Sequence, residues 1–95
     1  MYGIPQNVIE KIKGVLFSIQ GVDQVILYGS RAKGNYKEGS DIDLTIKGNL
    51  VYDDLLKMSV NLDDLNLPWK IDISLYSQIK NEKLLDHIDR IGVVI

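Results

Sequence analysis

The sequence predicts an α/β (α+β) fold, a small mixed β-sheet of three to four strands with helices packed on one face. Three observations predict it. Three long segments repeat apolar residues at helical spacing, and shorter ones place them at every second position. The segments follow one another as α-β-α-β-α-β-α, an order that lays helices against a sheet. The chain has 95 residues, 45% apolar and 25% charged, the size and composition of one globular domain, expected to span 1–95.

The first helix covers residues 5–19. Pro5 suits its first position, where a missing N–H would be unpaired anyway. Val8, Ile12, Val15, Leu16 and Ile19 make one apolar stripe, and Gly21 stops the helix. Val25–Tyr28 is a continuous apolar run, as in a strand covered on both faces. Gly29 ends it, Ser30 caps a short helix through Lys33, and Gly34 and Asn35 close that helix. From Asp41 to Lys47 the chain alternates. Asp41, Asp43, Thr45 and Lys47 point one way and Ile42, Leu44 and Ile46 the other.

Residues 50–65 form a second long helix around Leu55, Met58, Leu62 and Leu65, with Pro68 as its stop. Lys70–Tyr76 alternates again, with Ile71, Ile73 and Leu75 on the apolar side and Asp72 opposite. A third long helix, capped by Ser77, runs to about Arg90 on Leu84, Leu85, Ile88 and Ile91. Gly92 stops it, and Val93–Ile95 reads as a short edge strand or the start of a tail.

Composition excludes several classes. No apolar run approaches the roughly 20 residues needed to cross a bilayer, and the N-terminus lacks a signal-peptide pattern. With no cysteine there are no disulfides or thiolate metal sites, and a cytoplasmic location is expected. A net charge of −2 argues against direct binding of a duplex or tRNA. The local basic group, Arg31, Lys33 and Lys37, lies in the loop that would meet phosphates.

That loop carries the candidate chemistry. A strand ending in Gly29 lets a phosphate approach the backbone. A helix starting there offers free N–H groups, and Ser30 adds a hydroxyl donor. Arg31 and Lys33 can counter phosphate charge, and Ser40 completes the expected phosphate-binding set. Asp41 and Asp43, about 6.6–6.8 Å apart at Cα on one strand face, can hold Mg²⁺ between them. Asp72 shares their alternation phase, so a third carboxylate would join them if its strand pairs alongside. The loop is not a Walker A: Asn35 and Tyr36 stand where Lys and Ser/Thr are required. Nor is it an EF-hand, since Ile46 and Tyr52 replace the needed Gly and Glu. Among the other polar and aromatic residues, His87 reads as a surface histidine, Trp69 as rim packing on the third strand, and Tyr36 as cover near the loop.

Gly29-Ser30, ten residues, then Asp41-Ile42-Asp43 resembles the signature of the minimal nucleotidyltransferases of the DNA polymerase β superfamily. Asp72, in Lys-Ile-Asp-Ile-Ser-Leu, is similar to that family's third carboxylate. The resemblance implies a polymerase-β-like fold, with Asp41, Asp43 and Asp72 as catalytic metal ligands and Asp72 as base. Gly29 and Ser30 would hold the triphosphate of ATP, and two Mg²⁺ ions would serve the reaction. It further implies an antitoxin that transfers AMP to a tyrosine of a HEPN-domain ribonuclease toxin. After the core is assigned, no residues remain for an acceptor-binding domain. The acceptor surface is therefore expected from another chain, a partner protein or a second copy. The alternatives are a small-molecule, aminoglycoside-type nucleotidyltransferase and a non-catalytic antitoxin that occludes its toxin.

Overall fold

The computed structural model describes residues 1–95. Its elements are α1 (Gln6–Phe17), β1 (Val22–Tyr28), α2 (Gly29–Lys33), β2 (Ile42–Gly48), α3 (Tyr52–Asp63), β3 (Ile71–Leu75), a 3₁₀ turn (Tyr76–Gln78), α4 (Glu82–Ile91) and β4 (Val93–Val94). The four strands form one sheet in the order β3-β2-β1-β4. β1 runs antiparallel to β2 and β4, while β2 and β3 are parallel, so the sheet is mixed as expected. Parallel neighbours need a crossover, and α3 supplies it. No helix is long and apolar enough to cross a membrane.

The period-two alternation of β1 and β2 sorts the two sheet faces. Val25, Leu27, Ile42, Leu44, Ile46 and Leu75 face one side, and α1 and α3 bury that side with Val8, Ile9, Ile12, Leu16, Met58 and Leu62. The other side carries Asp43 and Asp72 at one end and the buried Thr45 in the middle, its hydroxyl bonded to that of Ser74 at 3.0 Å. α4 packs on this second side over β1, where Ile88 and Ile26 are both buried. Gly92 seats that helix, because a Cβ there would run into Ile88 O and Ile26 Cγ2.

Several boundaries differ from the sequence reading, each for a local reason. Pro5 is the residue before α1 rather than its first, with an extended ψ of 142°. α1 stops at Phe17, where Ser18 Oγ donates to Val15 O at 2.6 Å. Gly21 instead opens β1, accepting at its carbonyl from Asn49 N–H at 3.0 Å. That contact lets β1 start at Val22, paired with Gly48. α3 ends at Asp63, and Asn66 then turns the chain with φ 52°, so Pro68 is not the stop. Ser77 lies in the 3₁₀ turn; α4 is capped by Asn81, whose side-chain oxygen accepts from Lys83 N–H and Leu84 N–H at 3.0 and 3.2 Å.

Candidate active site

The site sits at one end of the sheet, where β1 turns into α2 beside the start of β2. Tyr28 is extended and Gly29 is left-handed, with φ 76°. A Cβ at Gly29 would collide with the Asp43 carboxylate, so the corner and the acid are in van der Waals contact. α2 has no side-chain cap: Tyr28 takes the cap position, and Ser30 falls in the first turn instead of capping it as expected. Gly34, with φ 95°, closes α2 through its N–H to Ser30 O at 2.9 Å.

Register brings the carboxylates together. Asp43 lies opposite Tyr28 on β1 and directly opposite Asp72 on β3. Directly paired residues share a face, so Asp43 and Asp72 project to the same side. Asp41 lies just before β2, outside the strand expected to begin with it, and its charge is felt at Asp43. Asp43 is half-buried and receives no hydrogen bond. Burial raises its pKa first, the negative charges of Asp72 and Asp41 raise it further, and His87 and Lys70 offset part of this. Asp72 is exposed and meets Lys70 Nζ at 3.8 Å, a surface pair of little net worth. The acids are not drawn into a ready-made cluster of three ligands. Their oxygen-only chemistry, net negative charge and position at the open end of the sheet still fit a hard divalent cation that keeps water and substrate oxygens in its shell.

The predicted phosphate residues divide. Gly29 and Ser30 line the corner; Lys33 is exposed at the end of α2. Arg31 does not face the site. It is 1% exposed, and its guanidinium donates to Tyr2 O, Glu38 O and Ser40 O at 2.9–3.1 Å. Tyr36 and Trp69 flank the same group, their ring centroids 5.2 and 5.9 Å from its Cζ. Three carbonyls, one near the N-terminus and two from the loop after α2, thus consume the donors expected for a phosphate, and Arg31 builds the loop instead. Ser40 belongs to that loop too, its Oγ accepting from Lys37 N–H at 2.8 Å. Trp69 Nε1 donates to Glu38 O at 3.3 Å, so this ring closes the Arg31 knot rather than the rim of β3.

Two residues at the site escaped the sequence reading. Tyr28 shares the face of Asp43, and burial leads the causes that raise its hydroxyl pKa, with Asp43 and Asp72 adding to it and Ser74 opposing. His87 is not a surface histidine: its Nε2 accepts from Gly29 N–H at 3.1 Å, and its ring meets Tyr28 edge-on with centroids 6.2 Å apart. A signal was present, since Leu84, His87 and Ile91 recur at helical spacing on one stripe. The larger surface hollows lie elsewhere, around Gly21 and Asp54, around Leu67 and Trp69, and around Leu56 and Val60. The carboxylates stand at an open end of the sheet.

A mixed sheet that sets a glycine–serine corner against carboxylates on adjacent strands defines a nucleotidyltransferase. The chain belongs to the family described as Polymerase beta, Nucleotidyltransferase, which matches residues 10–95. A comparison with curated proteins finds no match. Solved structures share the fold. One, a toxin–antitoxin with AMP-PNP, is 18% identical, with 96% of this chain and 72% of that one covered and a TM-score of 0.71. Another, a mutant of the toxin–antitoxin MntA-HpeT, is 19% identical over 97% of this chain and 72% of that one, with a TM-score of 0.70. A Sulfolobus solfataricus protein assigned as a nucleotidyltransferase is 21% identical over 99% and 86%, with a TM-score of 0.55.

Proposed function

We propose that this nucleotidyltransferase moves AMP from ATP to a tyrosine hydroxyl of a HEPN-domain toxin and thereby acts as its antitoxin in the cytoplasm. The observation that carries the chemistry is the register that sets Asp43 against Asp72 on one face, in contact with the Gly29 corner. The choice of acceptor is supported by the toxin–antitoxin structures among those sharing the fold.

Asp41, Asp43 and Asp72 would hold Mg²⁺, which when bound neutralises phosphate charge and polarises the α-phosphate. At the Gly29-Ser30 corner the Ser30 N–H and hydroxyl meet the triphosphate, and Gly29, whose own N–H is taken by His87, lets it approach the backbone. Asp72, exposed and only loosely tied to Lys70, orients the attacking hydroxyl and accepts its proton. A bond forms from that oxygen to the α-phosphorus, the bond from the α-phosphorus to the bridging oxygen breaks, and pyrophosphate leaves.

The test is incubation with α-labelled ATP, Mg²⁺ and the toxin, read by label and intact mass of the toxin. Label on a toxin tyrosine, lost in Asp41→Ala and Asp43→Ala, is expected. Wild-type transfer by either variant overturns the site. Transfer to an aminoglycoside with no protein acceptor overturns the partner, and protection from the toxin by a triple-alanine variant overturns catalysis as the mode of silencing.

A further inference from the structure

α4 lies far from the phosphate corner in sequence, yet it reaches that corner through one side chain. His87 Nε2 accepts from Gly29 N–H at 3.1 Å across a separation of 58 residues. The accepting nitrogen must be unprotonated, which places the ring proton on Nδ1. The ring also packs edge-on against Tyr28, the residue immediately before the corner.

The helix that carries His87 is held at both ends. Asn81 caps its start, and Gly92 closes its end against Ile26 of β1 with no room for a side chain. Ile88, next to His87, is 2% exposed. His87 is therefore presented to the corner by a helix fixed through contacts at both ends and along its buried face.

Gly29 needs such support. Its φ of 76° is a left-handed conformation adopted in contact with the Asp43 carboxylate. A free loop with an unpaired N–H here would sample other conformations and exchange this partner for water. Glycine adopts this conformation without strain and leaves it as readily, so contacts from outside the corner must hold it in one conformation.

We propose that His87 is a positioning residue: it holds Gly29 in its left-handed conformation, and so keeps the phosphate-binding corner set against Asp43 for the nucleotide. This rests on the nucleotidyltransferase reading above. His87 acts on the corner through the Gly29 N–H.

Two variants separate the hydrogen bond from packing. His87→Phe keeps a ring against Tyr28 and removes the acceptor. His87→Gln loses the ring but carries a carbonyl oxygen the same number of bonds from Cα as Nε2. The measurements are ATP binding by calorimetry with Mg²⁺, KM and kcat for AMP transfer, and melting temperature.

Loss of one half-buried hydrogen bond of about 1–1.5 kcal/mol corresponds to roughly a tenfold weakening. His87→Phe is expected to raise the ATP Kd and KM about tenfold with kcat within about twofold. His87→Gln is expected to restore most of that affinity even if it melts no higher than the Phe variant. Affinity that follows melting temperature in both variants, or an unchanged KM in His87→Phe, overturns the proposal. If His87→Phe does not fold, the Gln variant decides alone: a folded Gln variant with KM raised tenfold overturns it. Wild-type protein that binds no ATP would refute the underlying activity instead, and the two failures are distinct.

Discussion

Replacing Asp43 by Asn should make the protein more stable and nearly inactive, the reverse of an ordinary change at a half-buried position. Asp43 lies directly across from Asp72, with Asp41 two residues away, and no hydrogen-bond donor reaches its carboxylate. Opposed residues on neighbouring strands lie about 5 Å apart, where two unit charges repel by about 0.8 kcal/mol in water-like surroundings. The side chain is only half-buried, so solvent screening keeps the cost near that figure. With Asp41 adding to the repulsion and Lys70 offsetting part of it, about 0.5–1 kcal/mol should be recovered by Asn. For a chain of this size that is a rise of about 2–8 °C in melting temperature.

The sign with pH follows from the same shift. The folded-state pKa of Asp43 is raised above its unfolded value, first by burial and then by Asp72 and Asp41. Its contribution to stability is fully present below the unfolded pKa and is lost as pH rises through the folded one. The gap between Asn variant and wild type should therefore be widest near neutral pH and close as pH falls into the carboxylate range. Thermal melts by circular dichroism across pH 4–8 (roughly the span of that linkage), with chelator and at low salt, read this directly. Adding Mg²⁺ should raise the wild-type melting temperature and leave the variant unmoved. An Asn variant that melts below wild type at neutral pH, or a gap that does not shrink with acid, would refute the electrostatic account.

Two further perturbations test the corner and its support. Gly29→Ala forces a side chain into a left-handed residue, at about 1–2 kcal/mol, and pushes the Asp43 carboxylate aside. Melting should drop by about 4–16 °C and AMP transfer by more than tenfold; retained activity at a lower melting temperature would show that the Gly29–Asp43 contact is not needed. Arg31→Met strands the carbonyls of Tyr2, Glu38 and Ser40 and should cost about 3 kcal/mol or more. Arg31→Lys should fail to rescue it, because one ammonium cannot replace the planar fork. Unchanged melting with a raised ATP KM would return Arg31 to the phosphate-binding role.

Alternation within a strand is a local property, and it was legible. Isoleucines and leucines at every second place put Asp43 and Asp72 on the polar side of their own strands, and helical spacing marked the buried stripes of α1 and α3. Glycine and serine at a strand end likewise announced the corner, because backbone freedom is written in residue type. Parallel pairing of β2 with β3 in the register Asp43–Asp72 was not legible, since alternation alone leaves the neighbour and its offset open. Nor was the fate of Arg31, whose donors are claimed by carbonyls that only the folded loop gathers, or of His87, whose partner lies 58 residues away. The caps divided along the same line: Ser77 and Asn81 both suit a helix start, and the 3₁₀ turn that follows β3 delays the helix until Asn81. Residue chemistry determined which groups face together along each segment, and the long-range contacts made on closing the fold decided which of them meet.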